Sequence, residues 1–276
     1  MPVSLIFVIR PIEATQTPAS LGRAAHAAVL RLIDAADPTL AAQIHDDDGP
    51  KPLTVSNVIG LEVRHHIAHV HPDRRYRLRV TLLTPALEAI AATWRPDALA
   101  PLDLDGLLWR VEQTIINPAD DPWTGISTYE SLASAVINRS AAPVRWTFEF
   151  ATPVTFRQRG LNQPLPLPAL TFGSLLERWN AFAPIAFPDE VRRFAEECLA
   201  VSRFDLRSRS EPTKGGVPQI GAVGRITYAA VNRDRYWLAC IDALAQFALF
   251  SGIGASTTRG YGQARLLDEG ARPAVS

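Results

Sequence analysis

Apolar residues recur along this chain with two different periods, and these periods alternate in a regular order. Alternate positions are apolar in stretches typical of strands, whereas other stretches repeat every third or fourth residue, as helices do. In the first half the predicted strands are 3–10, 60–70, 75–83 and 104–116, and the predicted helices are 21–36, capped by Ser20, and 85–94. In the second half the predicted strands are 144–151, 201–209, 220–231 and 263–267, and the predicted helices are 170–182, 189–199 and 235–250.

This order places two similar units in tandem. Strands 60–70 and 75–83 are expected to form a hairpin around His71-Pro72-Asp73. Each half then follows β-α-β-β-α-β, with extra helical segments at 38–44, 128–137 and 189–199. We therefore predict an α+β protein of two tandem ferredoxin-like (RRM-like) domains, residues 1–140 and 141–276, with the glycine-rich segment in the second.

Composition is that of a globular protein. The chain has 276 residues, 47% of them hydrophobic, and no apolar run reaches the roughly 18 residues that span a membrane. The start of the chain lacks the basic residues that precede the apolar part of a signal peptide, so a soluble, cytoplasmic protein is expected. Cys198 and Cys240 have no metal-binding or redox spacing, and they are expected to be buried apolar residues.

Positive charge is carried almost wholly by arginine. The net charge is zero, which argues against a generally basic nucleic-acid binder. Only Lys51 and Lys214 are lysines. Arginine suits bidentate contact with phosphate, but a GC-rich genome gives the same bias, and composition alone leaves both explanations open.

A glycine-rich segment near residue 250–262 separates the last predicted helix from the last strand. Glycine permits positive φ and close backbone approach, so we predict a tight loop whose outward N–H groups suit phosphate, or else a turn that only returns the strand to its sheet. The candidate RNA-binding residues of this segment are Gly252, Gly254, Ser256, Thr257, Arg259, Gly260 and Gly262.

Two predicted strands carry arginine on one face. These faces are either solvated or a path for an RNA backbone. The residues concerned are Arg75, Arg77 and Arg79 in the first half, and Arg207 and Arg209 in the second, with Lys214 in the connection beyond that strand.

The six histidines all lie between positions 26 and 71. A metal site at His65, His66, His69 and His71 would need ligands from another segment, and no nearby motif supplies them. His26, in an alanine-rich helix, is as readily a half-buried packing residue, and His45 a helix-terminal loop residue.

Four stretches resemble one family in order along the chain. They lie at 37–56, 150–179, 220–228 and 250–262, the last being the glycine-rich segment. They resemble the CRISPR-associated repeat-processing endoribonucleases (Cas6), within the repeat-associated RNA-binding (RAMP) superfamily.

The resemblance implies a function and a site. Such a protein would bind CRISPR repeat RNA and cut the precursor transcript without a metal or other cofactor, by attack of a ribose 2′-OH that leaves a 2′,3′-cyclic phosphate. His26 and His45 would then be the acid and base, in an order left open, and Lys51 would stabilise charge on the phosphorane. The alternatives are a non-catalytic RNA-binding subunit of a CRISPR effector complex, or a metal-binding protein using His65–His71. The oligomeric state, including a homodimer, is open.

Overall fold

The computed structural model describes residues 1–135, 142–211 and 218–267, which form two compact units. The first unit comprises Met1–Ser127 and Ser256–Gly260, and the second comprises the described residues between 128 and 255 and those from 261 to 267. No helix in the described ranges is both long and apolar enough to cross a membrane.

The first unit is an antiparallel sheet with helices on one face. Its elements are β1 (Val3–Pro11), β2 (Thr15–Pro18), α1 (Gly22–Ala36), α2 (Pro38–Asp46), β3 (Leu53–Val55), β4 (Val63–Arg64), β5 (Ile67–Val70), β6 (Tyr76–Leu82), α3 (Pro85–Ala91), β7 (Leu102–Leu104), β8 (Leu107–Ile115) and β9 (Gly125–Ile126). The sheet order is β3-β6-β1-β8-β7, with β9 also paired to β1. The strands β1, β3, β6 and β8 thus give the ferredoxin-like arrangement 2-3-1-4.

The core of this unit follows from the strand alternation. Leu5 and Phe7 on β1 pair with Val80 and Leu78 on β6. These side chains are fully buried in one cluster with Val29 of α1. Apolar residues on one face of each strand therefore hold α1 against the sheet.

The predicted hairpin of 60–70 with 75–83 is wrong. β6 pairs with β3 and β1, whereas β5 pairs with β2 and β4 in a separate small sheet. β3 is only three residues long, too short to show an alternating pattern, and His65 and His66 adopt positive φ, which ends β4 in a tight turn. The predicted strand 104–116 corresponds to β8 but begins too early, because Asp105 and Gly106 have positive φ and form the turn between β7 and β8.

The second unit repeats the same arrangement. Its elements are α4 (Tyr129–Ser134), β10 (Arg145–Val154), β11 (Phe156–Gln158), β12 (Leu161–Gln163), α5 (Pro168–Phe182), α6 (Glu190–Cys198), β13 (Leu199–Glu211), β14 (Gln219–Ala230), α7 (Arg235–Ser251) and β15 (Ala264–Leu267). The sheet order is β13-β14-β10-β15, again 2-3-1-4. The tandem ferredoxin-like fold predicted from the sequence is confirmed.

The compact units differ from the predicted ranges 1–140 and 141–276 at two places. Tyr129 of α4 packs its ring 5.3 Å from Trp179 and 5.7 Å from Phe247, so this helix belongs to the second core. Residues 256–260 of the glycine-rich segment belong to the first unit. Apolar spacing predicts a buried face but does not say which core receives it.

Candidate active site

His26 lies on α1 and is half-buried. Its Nδ1 atom is buried and has no hydrogen-bond partner among the described residues. Burial lowers the pKa of His26 to about 4, and the positive charges of Arg259, Lys51 and His45 lower it further, in that order. The imidazole is therefore neutral at pH 7, and the three basic residues lie near enough to influence it.

His45 is placed by α2, a helix that the sequence indicated only as a further turn. Pro38 opens this helix, and the Asp37 carboxylate accepts a hydrogen bond from the Leu40 N–H at 3.0 Å. His45 lies in the last turn and its side chain is exposed. The helix therefore presents His45 to solvent on the side of the first unit that also carries His26 and Lys51.

Lys51 caps the C-terminal end of α2. Its Nζ atom donates to the carbonyl oxygens of Ile44 at 2.7 Å and His45 at 3.3 Å, and also to that of Asp47. An ammonium group has three N–H donors, so all three are engaged with backbone carbonyls. This geometry fits a residue that holds the end of α2 in place, and it differs from the free charge expected for contact with a phosphorane.

Residues 256–260 bring Arg259 to the histidines. The segment contains a 3₁₀ turn (Thr257–Arg259), and Gly260 donates its N–H to Val55 at the end of β3 at 2.9 Å. A Cβ added to Gly22 would lie 2.3 Å from the carbonyl oxygen of Arg259, so the turn rests directly on the start of α1. The Arg259 side chain is exposed and has no carboxylate partner within the described part of the chain.

The glycines of this segment do not form the predicted outward cradle of N–H groups. All four are buried, and their N–H groups donate within the protein, to Ala248 O, Ser174 Oγ, Val55 O and Pro153 O for Gly252, Gly254, Gly260 and Gly262 respectively. The glycines instead permit close backbone packing. A Cβ at Gly254, where φ is +81°, would lie 2.3 Å from the Thr155 carbonyl oxygen.

The part of the segment that remains accessible is its tip. Ser256 and Thr258 are half-buried and Arg259 is exposed, whereas Thr257 is only 3% exposed. The predicted phosphate contacts are therefore reduced to two hydroxyl groups and one guanidinium. Arg259 was expected to bind the RNA backbone, and no local pattern placed it beside His26.

The predicted arginine face of β6 is only partly available. Arg79 is 1% exposed, donates from Nε to the Trp123 carbonyl at 2.8 Å, and lies 5.4 Å from the centre of the Trp123 ring. The prediction that Arg79 contacts RNA is wrong, because residues 121–124 cover its end of the strand. Arg77 pairs with Asp121 at 2.8 Å and Arg75 with Glu112 at 3.2 Å, and both arginines remain more than half exposed.

The second arginine face lies on β13, a 13-residue strand at the edge of its sheet. Arg207 and Arg209 are exposed, and Arg209 pairs with Glu211 at 2.9 Å. Lys214, predicted to extend this face, lies outside the described residues. The edge strand thus carries accessible positive charge.

The histidines 65–71 do not form a metal site. His65 and His66 occupy the β4–β5 turn instead of opposite strand faces, and no three metal-binding side chains converge anywhere in the described residues. The alternative of a metal-binding protein therefore lacks a ligand set at this place.

Sequence comparison relates both units to one family. A family model described as the CRISPR Cas6 N-terminal domain matches residues 1–96, and one described as CRISPR-associated endoribonuclease Cas6 matches residues 148–264. Together they cover more than half of the chain. The chain belongs to the Cas6 family.

Individual relatives agree with this family. A Cas6 from Mycobacterium tuberculosis is 31% identical over 123 residues, which is 44% of this chain and 38% of that relative. The match thus spans well under half of that protein's length.

Solved Cas6 structures match nearly the whole chain. A Cas6 product complex has a TM-score of 0.77 at 26% identity and covers 97% of this chain and 100% of that chain. Thermus thermophilus Cas6 has a TM-score of 0.71 at 27% identity and covers 97% and 98%. A Cas6-related protein of Pyrococcus furiosus, with 11% identity and a TM-score of 0.64, covers 98% and 100% and shares the fold.

Proposed function

We propose that this Cas6 family protein binds CRISPR repeat RNA and cuts the precursor transcript within each repeat. The observation that carries this proposal is a neutral histidine, His26, next to a second histidine and to the exposed guanidinium of Arg259. A base, an acid and a positive charge are the groups that internal attack on a phosphodiester requires. The relatives described as endoribonucleases, and a Cas6 solved with a substrate mimic, support the same assignment.

In this proposal His26 is the base. Burial keeps its imidazole neutral at pH 7, so it can accept the proton of the attacking 2′-OH. Nδ1 is buried, which leaves Nε2 as the nitrogen that accepts the proton. An anionic phosphate beside the ring stabilises the protonated form, so bound RNA raises the pKa of His26 toward the range in which a base works best.

The remaining roles follow from the accessible groups. The 2′-oxygen forms a bond to phosphorus while the bond to the 5′-oxygen breaks, and protonated His45 gives its proton to that 5′-oxygen. Arg259 stabilises the charge of the phosphorane, and Lys51 acts through α2 by holding His45 in place. The products are a 2′,3′-cyclic phosphate and a 5′-OH, and the proposal requires no metal ion or other cofactor.

Arg75, Arg77, Arg207 and Arg209 are proposed to contact the RNA backbone, because they are exposed and basic. The reaction takes place in the cytoplasm, where the transcript is made. Measuring the mass of the RNA complex in solution distinguishes a monomer from a homodimer or a member of a larger effector complex.

The decisive experiment is cleavage of a repeat RNA in EDTA. The substrate is a CRISPR repeat RNA whose cut position is first mapped, and the nucleotide at that position is then prepared with and without its 2′-OH. The wild type should release a cyclic phosphate in EDTA, and it should bind the 2′-deoxy RNA without cutting it. His26→Ala and His45→Ala should cut about 10²–10⁴-fold more slowly with nearly unchanged binding.

Each of the other outcomes would indicate a different function for this protein. Binding without cleavage would make the chain a non-catalytic RNA-binding subunit. Activity that chelator abolishes and a divalent ion restores would favour metal-dependent chemistry. Cleavage of the 2′-deoxy RNA would exclude internal attack.

A further inference from the structure

The helix that carries His26 is capped by a residue far away in the sequence. The N-cap residue of α1 is Leu21, which has no side chain able to accept a hydrogen bond, and the predicted cap, Ser20, does not serve. The Leu21 N–H instead donates to Oδ1 of Asn57 at 2.7 Å. Asn57, just after β3, thus satisfies the free N–H of the N-cap residue, which a glutamate or glutamine at the third helical position satisfies in a capping box.

The Asn57 side chain uses both ends of its amide. Nδ2 donates to the Ala19 carbonyl at 2.9 Å, and Oδ1 also accepts the Val58 N–H at 2.9 Å. Only a side chain that donates and accepts from the same planar group can make these bonds. A carboxylate at this position would keep the contact with Leu21 but place an oxygen against the Ala19 carbonyl.

The same residue borders the segment that carries Arg259. Ser56 forms a β-bridge with Gly260, and a Cβ added to Gly260 would lie 3.0 Å from the Asn57 backbone nitrogen. The carbonyl oxygen of Arg259 in turn rests on Gly22, the first residue of α1. Asn57 therefore contacts, on one side, the residues leading into α1 and, on the other, the segment that ends at Gly260.

We propose that Asn57 is a positioning residue that fixes the first turns of α1 against residues 256–260 and so sets His26 relative to Arg259. It touches neither the RNA nor the reacting atoms in this scheme. The proposal rests on the proposed function for its catalytic consequence, but the placement of His26 is measurable without any RNA.

The test compares Asn57→Ala with Thr84→Ala. Thr84 caps α3 in the same unit, accepting the Leu87 N–H at 3.5 Å, so its loss also removes a helix cap but leaves the hydrogen bonds of Asn57 in place. In the free protein, the pKa of His26 is measured by NMR titration. Asn57→Ala should raise the pKa from about 4 toward 6.5, because α1 loosens, water reaches the ring and Arg259 moves away. Thr84→Ala should leave it unchanged.

Cleavage kinetics give the second measurement. Asn57→Ala should lower kcat by at least about 10-fold while KM changes less than about 3-fold, since geometry is lost and RNA contacts are kept. Thr84→Ala should keep the wild-type kcat at a temperature where both proteins are folded.

Asn57→Asp provides a variant of the same size if Asn57→Ala does not fold. It should also raise the pKa of His26 and lower kcat, because it loses the bond to Ala19 and adds negative charge. An unchanged pKa in the folded Asn57 variants, or an equal rise in Thr84→Ala, would overturn the positioning role. If the wild type binds RNA without cutting it, the proposed function fails, and the NMR titration still decides the role of Asn57.

Discussion

The carbonyl oxygen of Arg259 occupies the place where a side chain on Gly22 would begin. A Cβ at position 22 would approach it to 2.3 Å, closer than non-bonded atoms can come. Because the obstacle is backbone and not a flexible side chain, either α1 or the turn at 257–259 must move to admit a methyl group. These two segments, remote in sequence, can thus pack together only because residue 22 has no side chain.

Gly22→Ala should therefore separate His26 from Arg259. We expect a loss of about 1–3 kcal/mol in the free energy of unfolding, as for other overpacked sites, and a higher His26 pKa. Gly106→Ala is the control, because its added methyl meets no atom within 4 Å but its φ of +83° makes the variant mildly strained. If the His26 pKa rises equally in both variants, the packing of Arg259 on α1 does not matter to the site.

Arg259→Gln should raise the pKa of His26. The positive charge of Arg259 is the largest electrostatic contribution that lowers it, after burial itself. Cleavage should fall by about 10²–10³-fold, as when one group that stabilises a transition-state charge is lost. Arg23→Gln, which removes an exposed charge on the same helix, should leave the pKa in place. NMR titration and single-turnover cleavage check both effects.

The pH dependence of stability offers a separate measure of His26. Its pKa is about 4 in the folded protein and 6.5 in the unfolded chain, so between these values the unfolded chain binds the extra proton. The free energy of unfolding should consequently fall as pH drops from 6.5 to about 4. In His26→Gln this part of the loss should vanish, whereas His69→Gln, a substitution at an exposed position of β5, keeps His26 and should retain it. Urea unfolding of the wild type and His26→Gln at several pH values is the measurement. If folding did not shift the pKa of His26, the difference in the free energy of unfolding between the two proteins would not change with pH.

Lys51→Met should destabilise the protein and slow cleavage together. The ammonium group satisfies carbonyl oxygens of Ile44, His45 and Asp47 at the end of α2, and hydrogen bonds to charged groups are worth about 1.5–3 kcal/mol. Urea unfolding measures the first effect. Unchanged stability with slow cleavage would mean that Lys51 acts on the RNA directly, as the sequence predicted.

Arg79 and Arg75 should differ although they alternate on one strand. Arg79→Met removes the buried guanidinium that donates to the Trp123 carbonyl, an oxygen that the Ser4 hydroxyl also contacts, and should lower the free energy of unfolding by about 1–3 kcal/mol. Arg75→Gln should keep stability within about 0.5 kcal/mol, weaken RNA binding and reduce its salt dependence by about one charge. Salt titrations measure the RNA affinity, and urea unfolding measures the stability. Equal changes in affinity and stability for the two variants would contradict the prediction.

Sequence periodicity predicted the elements that carry long, regular patterns. β1, α1, α5 and α7 lie within two residues of their expected bounds, because each buries a stripe that spans several turns or pleats. β3 escaped prediction because three residues cannot show a period. Because the sequence does not predict β3, it assigns β6 the wrong partner, the predicted strand 60–70.

From the sequence, the site could be predicted only for residues whose side-chain type by itself indicates the chemistry. His26 and His45 were named from the family resemblance. The burial of Arg79 depends on residues 121–124, which lie more than forty positions away along the chain. The roles of Arg259 and Asn57 depend on contacts between α1 and residues that approach it only after folding, and alternation along one strand or helix carries no information about such partners.

The division of the chain into units has a consequence for synthesis. Residues 256–260, which supply Arg259 and whose Gly260 pairs with Ser56, are made after residues 128–255, which form most of the second unit. The N-terminal half can therefore collapse early, but it cannot assemble a complete site until the last helix has been translated. A prematurely terminated chain would keep both histidines and still lack the guanidinium beside them, so partial products should cleave RNA no faster than Arg259→Gln.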